Sequence, residues 1–169
     1  MTEQEFLHIM PSEILDDLYS SIHQGFHEYA TDYSKNADKH ETRTVRMIIN
    51  DHIADAVKQE FVESRLIHQR VKGRNLFIYD DKVILNFKKF DENLLSSNFP
   101  TKSAKAYNNQ EELEGIPANL PRVELGYIPD PAGASILGIF AVKRMGKKID
   151  WNVDLSDHDE PKQRDLKIV

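Results

Sequence analysis

The chain has 169 residues, of which 40% are hydrophobic and 30% charged, with a net charge of −6 and no cysteine. That composition fits one globular domain, excludes disulfides and thiolate metal sites, and suits a reducing compartment. The N-terminal MTEQEFLHIM lacks the basic and apolar regions of a signal peptide, and no run approaches the roughly 20 apolar residues that span a bilayer. The expectation is a cytoplasmic protein with no membrane contact and no cofactor.

Charge is distributed unevenly. Residues 1–63 hold thirteen acids against five bases, whereas residues 64–90 hold seven bases against Asp80 and Asp81. A second basic knot follows at Lys143, Arg144, Lys147 and Lys148. Internal pairing with the acidic helices is the first expectation for such bases, and an exposed patch that meets a polyanion is the second.

In chain order, Pro11-Ser12 opens a helix with Ser12 as its N-cap, and Ile14, Leu18, Ile22, Phe26 and Tyr29 carry it at helical spacing to about Tyr33. Residues 34–40 read as a polar linker. A second helix is predicted from about Glu41 to Ser64, with Val45, Ile48, Ile49, His52, Ile53, Val57 and Phe61 on one stripe. Two helices of this length and spacing form an antiparallel pair.

After Gly73 the period becomes that of strands. Leu76–Tyr79 and Val83–Phe87 flank Asp80-Asp81-Lys82 as a hairpin, and a polar loop covers residues 91–100. Thr101 then caps a short helix to about Glu112, with Ala104 and Tyr107 inward, ended by Gly115-Ile116-Pro117. Three strands close the domain. The first sets Val123, Leu125 and Tyr127 on one side. The last alternates Ile149, Trp151, Val153 and Leu155 with Asp150, Asn152 and Asp154. Between them, Ile136–Val142 is continuously apolar, as expected of a strand covered on both faces by the N-terminal half. The fold class is therefore α+β: an N-terminal antiparallel helix pair on an antiparallel sheet of about five strands, with one short inserted helix. A single domain is expected over 1–155, helical over 1–64 and sheet over 73–155, with a charged, mobile tail at 156–169.

His23, His27 and Glu28 have a spacing that can hold a metal, but no third ligand accompanies them, so they are read as boundary positions and no metal is assigned. Asp80, Asp81 and Lys88 are the candidate catalytic residues. Nucleases of the PD-(D/E)xK type set an Asp on one strand and carboxylate-x-Lys on the next, to bind a divalent cation and orient water. Here Asn86 stands where the second carboxylate belongs, so the pattern is degenerate, and Asp-Asp also has a turn-forming explanation.

Arg70, Lys72, Arg74, Lys88 and Lys89 are the candidate nucleic-acid-binding residues. Hairpin geometry brings their strand ends together, and Phe77, Tyr79 and Phe90 lie among them as candidate stacking rings. Against this, Phe77 and Phe87 also suit a core, and the bases have Glu60 and Glu63 as potential partners. No Gly-x-Ser-x-Gly, cysteine nucleophile, GxGxxG or phosphate loop is present.

From Gly73 onward, LNFKKFDENLLSSNFPTKSAKAY, LEGIP and PRVELGYIPDPAGASILGIFAVKRMGKKIDWNVDL together resemble a family of uncharacterised bacterial and prophage proteins. The matching positions are Phe87-Lys88-Lys89, Asn98, Pro100, Thr101, Gly126, Tyr127 and Trp151, with no catalytic role attached. Such proteins are typically encoded beside a helix-turn-helix protein fused to a zinc-peptidase-like domain. The resemblance implies a toxin-like effector of a toxin–antitoxin or phage-defence pair, neutralised by a cognate antitoxin-like protein. A nucleic-acid-binding module, nuclease-like or not, is the alternative from the residues themselves. An interaction protein whose acidic helices dock a basic partner is the third.

Overall fold

The computed structural model describes residues 1–96, 101–117 and 119–158. The chain opens with a helix that the sequence reading did not include, α1 (Glu3–Ile9). Thr2 and Glu5 form a reciprocal capping box: the Glu5 amide donates to Thr2 Oγ1 at 3.2 Å, and the Thr2 amide donates to Glu5 Oε2 at 2.6 Å. This closes two of the orphan donors of a helix too short to persist alone. Its Phe6 is fully buried and lies 5.0 Å from the Trp151 ring.

α2 (Ser12–Asp32) and α3 (Thr42–Glu60) are joined by a 3-10 turn at Ser34–Lys39 and fold back on each other. Two boundaries differ from expectation. Pro11, not Ser12, is the N-cap of α2, since Ser12 is already helical and no side chain caps that end. α3 stops at Glu60 rather than Ser64, because the chain must turn at Phe61–Ser64 to enter a strand. The helices touch at Gly25, where an added Cβ would lie 2.5 Å from Ile53 Cα.

One sheet of six strands follows in sequence order: β1 (Leu66–Val71), β2 (Arg74–Tyr79), β3 (Val83–Lys89), β4 (Arg122–Pro129), β5 (Ile136–Met145) and β6 (Lys148–Asp154). The sheet thus begins at Leu66, before Gly73, with an edge strand that lacks clean alternation. Lys72 and Gly73, both at positive φ, make the two-residue loop of the β1–β2 hairpin. The expected hairpin around Asp80-Asp81 is present as β2–β3, with both aspartates left-handed.

The sheet is not purely antiparallel, because β3 and β4 pair in parallel from Ile84↔Arg122 to Lys89↔Tyr127. The intervening segment must therefore cross over one face, and it carries α4 (Lys102–Asn108). Thr101 caps α4 as predicted, its hydroxyl accepting from the Ala104 amide at 3.1 Å. The helix ends at Asn108 rather than near Glu112. Gln110 takes a left-handed turn, and Arg122 of β4 donates to the carbonyls of Ala106, Tyr107 and Glu111.

The two faces of the sheet bury separate cores. On one, α1, α2 and α3 bring Phe6, Leu18, Ile22, Ile53 and Val57 against Phe77, Leu85, Val123, Leu125 and Ile139. Each such side chain stabilises by about 1.5–3 kcal/mol. On the other, a smaller cluster of Leu76, Ile78, Ile84, Tyr107 and Ile116 lies beneath the crossover. The Ile136–Val142 run is thus covered by the N-terminal helices on one face only. Its second face is closed at Val142, and Leu137, left without a register partner at the irregularity of the β4–β5 pair, is 66% exposed. Leu155–His158 forms a 3-10 turn. Asn98, Pro100, the end of the 91–100 loop and the tail from Asp159 onward lie outside the described residues.

Candidate nucleic-acid interface

The pairing of β2 with β3 stops early. Its register runs only over Phe77↔Leu85, Ile78↔Ile84 and Tyr79↔Val83, although β2 begins at Arg74 and β3 continues to Lys89. Beyond Phe77 the strands part, and β3 is held there by β4 alone. A helix side chain replaces the missing ladder partner: Asn50 Nδ2 of α3 donates to the Phe87 carbonyl at 3.0 Å. Asn75 Nδ2 donates to Asn50 Oδ1 at 3.3 Å and to Asp51 Oδ1 at 3.1 Å, and Asn75 Oδ1 lies 3.0 Å from His68 Nε2. Hydrogen bonds of the Asn50 and Asn75 side chains thus stand at this part of the opening in place of a continued ladder.

A cleft of about 660 Å³ occupies this open end of the sheet. It runs from α3 (Arg43, Arg46, Met47) across Arg70, Arg74, Lys88 and Lys89 to Thr101 and Ala104 at α4. Six cations therefore converge on one cleft, where Asp51 is the only lining carboxylate among the described residues. Among those residues, too, Arg43, Arg70, Arg74, Lys88 and Lys89 make no ion pair. Arg74 instead donates to Ser103 Oγ at 3.4 Å and lies 5.1 Å from the Tyr107 ring centre. Burial, opposed by Glu124 and aided by Arg74 and Arg144, holds the Lys88 ammonium below the ordinary lysine value. Desolvation and the neighbouring Arg46 lower Lys89 in the same direction. Desolvation is the main cause at both, so an entering anion would favour their charged forms.

Four of the five predicted binding residues are brought together here. The fifth, Lys72, sits at the β1–β2 tip and pairs with Glu114 at 3.1 Å in the open, an interaction of little energetic weight. Arg65 and Lys82 pair with Asp80 at the opposite end of the hairpin. Internal pairing thus accounts for some of the basic segment, through Asp80 and Glu114 rather than Glu60 and Glu63. The second basic knot is partly structural: Arg144 Nε donates to Glu124 Oε2 at 2.6 Å with both side chains 5% exposed, and Lys143 is also buried.

The residues of the degenerate nuclease pattern do not converge. Asp80 and Asp81 form the turn before Val83, while Lys88 lies at the far end of β3, roughly 20 Å along the strand. The expected stacking rings are in the core: Phe77 packs on His68 and Phe87, Tyr79 is buried, and Phe90 lies over Gly126. His23 packs on Tyr19, and Glu28 pairs with His52 at 3.5 Å. Among the described residues, no three His, Cys, Asp or Glu side chains gather as a metal ligand set, and no helix is long and apolar enough to cross a membrane.

Comparison with family models, curated proteins and solved structures finds no match to this chain. The site must speak through its own residues. Arg43 and Arg46 escaped the sequence reading because the acidic total of residues 1–63 masks them. The available signal was their spacing: with Met47 and Asn50 they fall at i, i+3, i+4 and i+7, one face of α3.

Proposed function

We propose that this protein binds nucleic acid through its phosphate backbone in the cleft between α3, the open end of β2–β3 and α4. The observation that carries the reading is the convergence of six cations, of which Arg43, Arg70, Arg74, Lys88 and Lys89 make no ion pair among the described residues, on an otherwise acidic chain. Cationic side chains without exposed rings suit contacts to phosphate, which position a strand without reading its sequence.

In a cytoplasmic toxin-like effector of the kind the resemblance implies, the ligand would be a cellular nucleic acid, and the cognate partner would silence the protein by covering the cleft. Expression alone and with the neighbouring gene tests that role. A growth defect relieved by the neighbour and by Arg70→Ala/Lys89→Ala supports it, and normal growth in every case counts against it.

Binding itself is tested by fluorescence anisotropy with a labelled single-stranded oligonucleotide over a salt series. Each phosphate contact contributes about −0.7 to the slope of log K against log salt, so full engagement of the cleft gives a slope near about −4. Arg70→Ala and Lys89→Ala should each weaken binding and flatten the slope by about 0.7, whereas Lys82→Ala should change neither. Affinity indifferent to salt and to both cleft substitutions rules the reading out.

A further inference from the structure

β1 closes one edge of the sheet, and nothing among the described residues pairs with its outer side. The β1–β2 hairpin fixes which backbone groups face outward. Its two-residue loop makes the flanking residues, Val71 and Arg74, a hydrogen-bonded pair, so Ile67, Gln69 and Val71 direct their amides and carbonyls at β2. The Asp80 amide, donating to the Arg65 carbonyl at 3.0 Å, continues that parity. Leu66, His68 and Arg70 therefore turn their backbone groups away from the sheet. Ser64 Oγ accepts from the Leu66 amide at 3.0 Å. The Leu66 carbonyl, and both backbone groups of His68 and Arg70, have no partner among the described residues.

The side chains along this edge differ between the two faces. Leu66 belongs to the main core, so His68 and Arg70, two and four residues on, share the face that α3 covers. Arg70 is exposed, makes no ion pair among the described residues and lines the cleft. On the other face Ile67 is 52% exposed, although its register partner Ile78 is buried in the smaller core and pairs in turn with Ile84. Ile67 is thus the open end of an apolar row that crosses three strands. An added strand would meet free donors and acceptors along its backbone, a cation on one side and an isoleucine on the other.

Charge selects the occupant. Arg65, Arg70 and Lys72 bracket the edge, and Leu66–Val71 contains no carboxylate. Cations along an edge discourage pairing between identical strands, and the β1 of a second copy would bring the same cations against these. A strand that carries carboxylates is complementary to them. Directly opposite residues share a face, so its acid falls beside Arg70 and an apolar, β-branched residue beside Ile67.

We propose that the β1 edge is the docking site for an extended acidic segment of a partner protein, added to the sheet as a further strand. Its carboxylates would lie against Arg70 at the mouth of the cleft, so the docked segment and nucleic acid exclude each other. That exclusion rests on the nucleic-acid reading above, whereas the docking itself does not.

The test uses a short fluorescent peptide alternating glutamate and valine, read by anisotropy. Two controls accompany it: the same peptide N-methylated at the amides that would face β1, and a peptide alternating lysine and valine. The glutamate peptide should bind on the order of tenfold tighter than either control. Ile67→Thr should weaken it about fivefold and leave oligonucleotide affinity unchanged. Arg70→Pro removes an outward amide as well as the charge, so it should weaken peptide binding more than Arg70→Ala does. Oligonucleotide affinity should be equal in those two variants, with folding checked by thermal denaturation. The peptide should also displace a labelled oligonucleotide from the parent chain.

No binding of the glutamate peptide, equal binding of either control, or affinity unchanged in both Ile67→Thr and Arg70→Pro overturns the docking site. Self-association of the chain that these two variants abolish also overturns it, because a second copy then occupies the edge. Peptide binding that leaves the oligonucleotide in place overturns the exclusion. Peptide binding without any salt-dependent oligonucleotide binding overturns the nucleic-acid reading and supports the docking site alone.

Discussion

Gly25 sets the distance between α2 and α3, and Gly25→Ala should show how strongly. The new Cβ would lie 2.5 Å from Ile53 Cα, 2.6 Å from Ile53 N and 2.8 Å from the His52 carbonyl carbon. Carbon contacts are optimal near about 3.5–4.0 Å, and these neighbours are backbone, so the helices must separate by about 1 Å. Overpacking of this kind costs about 1–3 kcal/mol. Moving α3 also strains the 3.0 Å bond from Asn50 to the Phe87 carbonyl, worth about 1 kcal/mol more. Alanine returns up to about 1 kcal/mol of helix propensity. The net expectation is a loss of about 1–3 kcal/mol, read as a fall of roughly 2–4 °C in Tm per kcal/mol by thermal denaturation. Because Arg43 and Arg46 ride on α3, oligonucleotide affinity should fall in the same variant at temperatures where it is folded. A Tm equal to or above that of the parent chain would mean that propensity outweighs the contact, and that Gly25 does not fix the spacing.

Arg122→Met removes donors to the carbonyls of Ala106, Tyr107 and Glu111, and should cost about 2–4 kcal/mol and open residues 101–117 to limited proteolysis. Glu124→Gln leaves Arg144 buried without its counter-charge and should cost about 3–5 kcal/mol in a urea titration. The double variant with Arg144→Met should recover much of that loss, and additive losses would refute the pairing argument. Binding of a phosphorylated oligonucleotide should weaken as pH rises towards 10.5, because Lys88 and Lys89 are held below that value and bind best when protonated. Phosphate is already dianionic in this range, and an oligonucleotide of adenine and cytosine alone has no base that titrates there, so the titrating groups are the protein's. In Lys88→Met the pH profile should flatten, as measured by anisotropy between about pH 8 and 10.

What the sequence disclosed follows from which signals are local. α2 and α3 announce themselves through long apolar stripes, and Thr101 through its hydroxyl ahead of a short helical stretch. The β5–β6 pair was legible because Trp151 and Val153 alternate with Asp150 and Asn152. α1 was missed although Thr2-x-x-Glu5 is a capping-box pattern, since only seven residues follow the cap. β1 was missed because, as an edge strand, it carries His68 and Arg70 on the side that elsewhere is apolar. The parallel β3–β4 pair cannot be read from alternation, which is blind to the direction of the neighbouring strand. The length of the crossover was the clue, since so long a connection is what parallel pairing requires.

The site was half legible for the same reason. Arg70, Arg74, Lys88 and Lys89 are close in sequence, and a hairpin alone brings them together. Arg43 and Arg46 join them only through the packing of α3, and the parting of β2 from β3 leaves no mark on strand periodicity.

That parting divides the sheet mechanically. From β3 to β6 the register is long in every pair, whereas the β1–β2 hairpin is tied to the rest by three residue pairs near the Asp80 turn. Cooperative units of a fold open with free energies that track how many such ties must break. The hairpin should therefore open on its own, hinged at Tyr79–Val83, well before the rest of the sheet. Hydrogen exchange would report this as β1 and β2 amides exchanging ahead of β3–β5 amides. That opening would widen the mouth of the cleft and draw Phe77 and Tyr79 of β2 away from the main core.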